Sequence, residues 1–421
     1  MKQLPPLRIG LFGLVCLGLL PAAPACALTL EQAKAMALTA NPDVVQAQRN
    51  VDRAQADVAL SQARPNPNLT VGVSDYPPGQ HMITQGQDQN TSTSVELDQV
   101  IERGDKRQYR MEAADNAFRA SQADLADTRR VQQLAIARAY WDLKYAQEKL
   151  RIGEDTLSLF RESQRAVDLR QKYGDIASAD ATRLRLDVVR AAADLQQAKS
   201  DLVHARWQLA MLAGKNANQG DWEASDPWPN LDSPASKLNV DDLVAQRADV
   251  RAAEDRVAAA DAARKLARSL KTHDLTVGVG YSHNVTNPVP NGRWSVSVST
   301  PLFVGYAYEG EIRRAEADYS AAEDAEAQVK RRAMAEIIQA ESDLNQSQER
   351  LRHYREDLMP MAQSTLAASE YAFKRGAASV LDLLDARRVY RSTQLEAAAA
   401  EDDYAKNLAA FQSSIQSGNK P

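Results

Sequence analysis

Hydrophobic positions along this chain keep two different periods. Four short stretches alternate with period two: Leu69, Val71 and Val73 against Thr70, Gly72 and Ser74; Val95, Leu97 and Ile101 against Ser94, Glu96 and Asp98. The second pair is Leu275, Val277, Val279 and Tyr281 against Thr276, Gly278, Gly280 and Ser282, then Trp294, Val296, Val298 and Leu302 against Ser295, Ser297 and Ser299. This alternation predicts strands with one apolar and one polar face. Elsewhere the period is helical. From Gly104 to Tyr173 only Gly153 interrupts a helix-compatible sequence, a length of about 100 Å at the helical rise. The stretch from Ile176 to Leu212 carries a 3-4 stripe of Ala177, Ala181, Leu184, Val188, Ala191, Leu195, Ala198, Leu202, Ala205, Leu209 and Leu212. That spacing predicts supercoiled packing. So many alanines allow close helix approach but supply little area for a thick core, which suits the wall of a tube. The helix predicted from Asn41 to Ala63, stacked end to end with Ile176–Leu212, would match the long helix in height.

The pattern is written twice. Pro42-Asp43-Val44 returns as Ala248-Asp249-Val250, and Leu69-Thr70-Val71-Gly72-Val73 as Leu275-Thr276-Val277-Gly278-Val279. Gly104 recurs at Gly305, Leu150-Arg151 at Leu351-Arg352 and Gly174 at Gly376. The helical stripe returns as Ala386, Tyr390, Thr393, Ala397, Ala400, Tyr404 and Phe411, with Asn407 in one slot. Each half reads helix, strand, strand, long helix, helix. The expected organisation is a leader over 1–27, a first repeat over 28–215, a connector over 216–240, a second repeat over 241–415 and a tail over 416–421. Pro360 in the second long helix has Leu159 as its counterpart, so a kink is expected in one copy only.

About ten residues is the length of a tilted strand crossing a bilayer. Four strands cannot close a barrel, whose smallest membrane forms have about eight, and an open edge has no place in lipid. Three copies giving a twelve-stranded wall is the simplest solution, with Ser, Thr, Gly, Glu96 and Asp98 facing a wet lumen. Composition narrows the alternatives. Over 421 residues with a formal charge of -5, the chain has neither the repeated apolar spans of a polytopic helical protein nor the basic excess of a nucleic-acid binder. Lys2 and Arg8, the apolar run Ile9–Leu20 and Ala25-Cys26-Ala27 describe a secretory leader cleaved after Ala27. Both cysteines, Cys16 and Cys26, fall in it, so thiolate chemistry is not expected of the mature chain. Lipid attachment at Cys26 is the rival reading, set against Ala23 at a position where a large aliphatic is usual.

A leader followed by duplicated helix–strand–strand–helix–helix units resembles the TolC-like outer-membrane efflux factors, over nearly the whole mature chain. Thr300-Pro301-Leu302-Phe303-Val304-Gly305 is similar to their strand-to-helix junction, and the run from Lys374-Arg375-Gly376 through Ser379 and Asp382 to Asp385-Ala386 to their periplasmic tip motif. Glu102-Arg103-Gly104-Asp105-Lys106-Arg107 resembles the Gly-Gly-Lys-Arg segment of the cation-efflux, CzcC-like branch, with Asp105 at the second glycine. The resemblance implies a mainly α fold with membrane β: a homotrimer whose β-barrel in outer-membrane lipid continues into an α-helical barrel across the periplasm. It implies a passive exit duct without enzymatic activity or cofactor, partnered by a periplasmic adaptor and an inner-membrane RND pump, with heavy-metal cations as cargo. The alternatives are a duct for drugs, other organic compounds or type I secretion, and a pore-less periplasmic coiled-coil scaffold or adaptor.

Candidate gate residues follow. Asp382 and Asp385 share one helix face near its start, where the helix dipole favours negative charge. Asp180 follows Gly174 as Asp382 follows Gly376. In a trimer these carboxylates would form rings that concentrate cations at the narrow end; the bland alternative is helix capping. The family's best-known lock places a Tyr three before the tip glycine and an Arg two after it, and here Phe373 and Ala378 stand there. Hydrophobic closure by Phe373 is the expectation. Gly174 and Gly376 are expected to end helices in left-handed conformations, exposing tips that include Arg375 and Ser379 for adaptor docking. His81 with Met82, and His283, fall in predicted external loops, while His204, His273 and His353 are scattered; no metal-ligand spacing is present.

Overall fold

A computed structural model describes residues 26–74, 91–174, 176–216, 221–231, 239–285 and 291–416. The expected leader up to Ala25, His81 with Met82, and the tail beyond Gln416 lie outside the described residues. In chain order the elements are β1 (Cys26–Leu28), α1 (Leu30–Ala40), α2 (Pro42–Gln62), β2 (Asn68–Ser74), β3 (Thr91–Ile101), α3 (Lys106–Lys172) and α4 (Ser178–Leu212). Then come β4 (Trp222–Ala224), α5 (Val240–Gln246), α6 (Ala248–Ser269), β5 (Leu275–Val285) and β6 (Asn291–Ser299). The chain ends with α7 (Glu309–His353), a π-helical segment (Tyr354–Leu358), α8 (Met359–Lys374) and α9 (Val380–Ser414).

The four alternating stretches form one antiparallel sheet in the order β2-β3-β5-β6. Its register lines the apolar residues into rows, Leu69–Leu97–Val279–Val296 and Val71–Val95–Tyr281–Trp294. The other face carries Thr70–Glu96–Gly280–Ser295 and Asn68–Asp98–Gly278–Ser297. The apolar rows are exposed, and β2 and β6 have free edges. His283 belongs to β5, opposite Gly292, so the expectation of an external loop is corrected there: the strand runs four residues beyond Tyr281.

α3 is a single helix of 67 residues. Across the array, α2 and α4 flank α3 on one side, α6 and α9 flank it on the other, and α7 with α8 lies beyond α6 and α9. This order runs in the same sense as the sheet. The first-half short helices therefore border the β2 edge, and α7–α8 borders the β6 edge. The heptad stripe is the buried one: Ala181, Leu184, Ala191, Ala198, Leu202, Ala205 and Leu209 in α4, and Ala386, Thr393, Ala400, Tyr404 and Phe411 in α9.

The two long helices differ by one residue. Ile136, Leu143 and Ala146 match Ile337, Leu344 and Ser347, all buried. Past the π-helical segment the match is one position longer, pairing buried Phe160 with buried Ala362, and Gly174 with Gly376. An extra residue inside a helix is accommodated by widening one turn to π geometry. Pro360 follows immediately and has no N–H to donate into that turn. The kink expected at Pro360 thus takes the form of a π-segment, in one copy only.

The connector is more than a linker. β4 pairs in parallel with β1, and the Tyr140 hydroxyl donates to the Leu28 carbonyl at 3.0 Å while accepting from the Asp226 N–H at 2.9 Å. Burial pushes the Tyr140 phenol up to about 12. Ile136, Tyr140, Trp141, Leu143, Leu209 and Trp222 make the largest core cluster there, with Trp141 stacked on Trp228.

Both strand-to-helix junctions enter their long helix through a left-handed residue. Gly104 (φ +72°) and Asp105 (φ +57°) precede α3, and Tyr308 (φ +63°) precedes α7. The left-handed cap that Asp105 gives α3 is given to α7 by Tyr308, while Gly305 does not repeat the positive φ of Gly104. The Arg103 N–H donates to Asp274 at 2.9 Å, and Lys106 Nζ reaches both Asp274 and the Thr272 carbonyl at 2.8 Å. A left-handed Cβ costs about 1 kcal/mol. Asp105→Gly should raise the thermal unfolding midpoint in detergent, and Gly104→Ala should lower it, because a Cβ there is opposed by φ and by the Thr272 side chain; opposite signs in the melts would contradict this account.

Candidate functional site

The polar face of the sheet is laid flat against its own backbone. A Cβ on Gly278 would collide with the Asp98 carboxylate and the Ser297 hydroxyl, and one on Gly280 with Ser295. Ser297 donates to Glu96 at 3.3 Å. The glycines of β5 thus let the acidic side chains of β3 lie along the wall.

At the opposite end, both helical hairpins turn at glycine. Gly174 (φ +81°) follows α3 and Gly376 (φ +74°) follows α8. A Cβ at either would meet nothing within 4 Å, so the backbone angle, not space, calls for glycine. At the second tip the Ala377 N–H bonds the Ala372 carbonyl at 2.9 Å and the Gly376 N–H that of Phe373 at 3.1 Å, closing α8 as a Schellman turn. Ser379 then caps α9. Its hydroxyl accepts from the Asp382 N–H at 3.2 Å, and the Asp382 carboxylate accepts from the Ser379 N–H at 3.0 Å and hydroxyl at 2.8 Å.

Asp382 therefore serves as a capping box, and the Ser379 hydroxyl and N–H hold its carboxyl below the usual range. The carboxylate stays exposed and charged. Asp385 is exposed one turn on, with no ion pair among the described residues. Asp180 is half-buried in the first turn of α4, paired with Arg183 at 3.2 Å. The repeat match of Asp385 is that same Arg183. Asp180 is thus paired in the first half, whereas Asp382 and Asp385 have no cationic partner among the described residues in the second.

Phe373 is half-buried and packs against the cluster of Leu157, Phe160, Val167, Leu184, Val380 and Leu384. Arg170 of α3 lies over its ring at 5.2 Å. Arg375 lies over Tyr371 at 5.3 Å. Phe373 is thus held in the seam where the first coiled pair, α3 with α4, meets the second, α7–α8 with α9. Three arginines of α9 cross that seam: Arg387 bonds the Leu159 carbonyl (3.1 Å), Ser163, and Glu370 (2.9 Å). Arg388 pairs with buried Asp187, and Arg391 with Asp194, both at 2.6 Å. Sequence reasoning missed this set. Its signal was present in Asp187 and Asp194, one heptad apart on α4, opposite a cluster of arginines on α9.

Higher up, Lys406 of α9 binds Asp402 at 2.5 Å and also Asp142 of α3. Asp402 is buried, its second carboxyl oxygen has no partner, and burial pushes its pKa up to about 6. No three His, Cys, Asp or Glu side chains group as a metal site among the described residues. His204 instead meets Trp207 edge-on, His273 meets Phe303, and His353 bonds Asp357.

Two comparisons of sequence and one of structure bear on this geometry. A family model described as "Outer membrane efflux protein" matches residues 35–215 and again 239–415, once per repeat. The cobalt-zinc-cadmium resistance protein CzcC of Cupriavidus metallidurans is 25% identical over 367 residues, 86% of this chain and 83% of that protein. Nodulation protein T of Rhizobium leguminosarum bv. trifolii is 26% identical over 404 residues, 91% and 84% of the two chains. Among solved structures, CusC superposes with a TM-score of 0.78 at 18% identity, covering 92% of both chains. The outer-membrane channel OprN gives 0.76 at 22%, covering 92% of this chain and 89% of its own. The fold is TolC-like.

Two predictions follow from the seam. Phe373→Ala should raise the conductance of the closed state, since the ring fills the joint between the coiled pairs; unchanged closed conductance would remove Phe373 from closure. A carboxyl raised from 3.8 to about 6 in the fold stabilises in full below its unfolded value and loses that contribution as pH rises through 6. The Asp402 share of stability should therefore fall by about 1 kcal/mol between pH 5.5 and 7.5, and Asp402→Asn should abolish that part in melts at the two pH values.

Proposed function

The chain belongs to the outer membrane efflux protein family, and from that premise we propose that three copies form the exit duct of a tripartite system carrying heavy-metal cations. It is a non-enzymatic outer-membrane efflux channel component with a periplasmic helical extension. The alternative of a pore-less scaffold does not survive that membership. In the proposed assembly the three sheets close a twelve-stranded barrel, the apolar rows face lipid, and the Glu96 and Asp98 face lines water. The tips at Gly174 and Arg375-Gly376, with the Ser379 cap, receive a periplasmic adaptor, and an inner-membrane RND pump supplies energy and selection.

The observation that carries the cation reading is the pair of exposed carboxylates, Asp382 and Asp385, on one face of the first turns of α9. With Asp180 they would surround the narrow end in the trimer, and a ring of like charge in a constriction raises local cation concentration. Similarity to a protein named for cobalt, zinc and cadmium resistance is consistent with that cargo. A similarity of equal degree to a pyoverdine export protein of Pseudomonas putida keeps organic cargo as the competing outcome.

Purified channels in planar bilayers should be blocked by trivalent cations, and Asp382→Asn with Asp385→Asn should weaken that block at least tenfold; block of full strength in the double variant refutes the gate assignment. A strain lacking the gene should become sensitive to divalent heavy metals and keep its drug resistance. The reverse pattern would assign organic cargo.

A further inference from the structure

Two kinds of seam join neighbouring coiled pairs, and only one of them is complete within a chain. In the complete seam α9 lies against α3. Lys406 meets Asp142 there, and Ala405 and Ala409 of α9 line an open groove of about 520 Å³ with Gln133, Ala137 and Trp141 of α3. The internal repeat supplies the counterpart. The buried pairs Leu202 with Tyr404 and Leu209 with Phe411 relate α4 to α9, and Ile136 with Ile337 and Leu143 with Leu344 relate α3 to α7.

Carried through these matches, Ala405, Lys406, Ala409 and Ser413 become Val203, His204, Trp207 and Met211 on α4. Gln133, Ala137 and Asp142 become Met334, Ile338 and Asp343 on α7. Within one chain α4 and α7 lie on opposite flanks of the array, so this second seam has no intramolecular partner. Its apolar members stand in water: Val203 is 40% exposed, Trp207 45%, Met211 69%, Met334 39% and Ile338 53%. Where the complete seam leaves a groove beside Ala409, the incomplete one offers an indole. Lower down the same relation holds: the Arg388–Asp187 pair maps onto Leu186 and Val389, both exposed and apolar.

We propose that Trp207 of one copy seats on Met334 and Ile338 of the next copy, with His204 beside Asp343, and that this apolar contact is the anchor of the interface between copies. The occupant of the exposed face of α4 is thus a second copy of this chain, bound through a different surface from the one it presents. Such a head-to-tail contact closes a ring, and a central Trp flanked by Val and Met has the make-up of an interface hot spot. The inference rests on the trimer reading above and adds to it the register in which the copies meet.

Cysteine pairs in the full-length protein in outer membranes test it. Trp207→Cys with Ile338→Cys, and separately His204→Cys with Asp343→Cys (which leaves Trp207 in place), should each give reducible dimer and trimer bands on denaturing gels after oxidation, while single variants give none. Trp207→Cys with Leu358→Cys, at the end of the π-helical segment about 30 Å beyond Ile338, should give none. If the protein has the native mass of three chains and both test pairs fail, or the Leu358 pair links as well as they do, the register is wrong and the trimer stands. A native mass of one chain removes both.

Discussion

A sheet wall in lipid cannot end. Each unpaired N–H or C=O facing hydrocarbon costs several kcal/mol, so the free edges of β2 and β6 forbid the chain from working alone. The rest of the architecture answers to that constraint. The helices that border the two edges are α2 with α4 on one flank and α7 with α8 on the other, so sheet and helices leave off at the same two places. Different surfaces must then meet between copies, and such contacts form a closed ring when the rotation per copy is right.

Duplication makes the ring nearly twice as symmetric as its copies, and the departures from that symmetry fall where motion or chemistry would be useful. Ion pairs cross the complete seam from Arg388 and Arg391 near the tips and from Lys406 higher up, beside the apolar cluster of Leu157, Phe160, Leu184, Val380 and Leu384. Arg391 and Asp194 are partly exposed, where an ion pair is worth little net energy, but Asp187 is buried and would be costly to leave without Arg388. The π-segment stands in the second half alone and buries none of its five residues. Its ties to α9 include Tyr354 to Glu396 and Arg355 to Glu401, and the Tyr354 ring packs against the cluster of Leu351, Ala400 and Tyr404. The second coiled pair thus departs from the first at this one joint.

Much of this fold was legible in the sequence because its two periods are long and uninterrupted. Val95 and Leu97 against Glu96 and Asp98 fixed the strand faces, and the stripe from Ala181 to Leu209 fixed the buried side of α4. What was not legible has a short range or a distant partner. β1 and β4 have three residues each, too few for a period, and owe their pairing to Tyr140 and Ser225 holding the Leu28 carbonyl. The π-segment is spelled in helix-compatible residues, so only the one-residue drift between Phe160–Ala362 and Leu143–Leu344 betrays it. Asp382 read as a gate carboxylate is also a cap, because Ser379 three residues earlier claims one of its oxygens. The arginine set escaped notice because the α4 partners of Arg388 and Arg391 lie some two hundred residues away.

The division of charge between the tips bears on what an entrance ring could do. Asp180 is neutralised by Arg183, and the same repeat position in the second half is Asp385 rather than arginine. In the proposed trimer, a cation-attracting field at the entrance would come from the two-carboxylate turn of α9 more than from α4, set against Lys374 and Arg375 just before that turn. Asp382 is held ionised by the Ser379 hydroxyl and N–H, and its position is fixed by the same bonds. A charge fixed by a capping box moves with its helix. If the second pair swings about the π-segment, the carboxylates are carried outward with it, so widening the entrance and weakening its field would be one motion and not two.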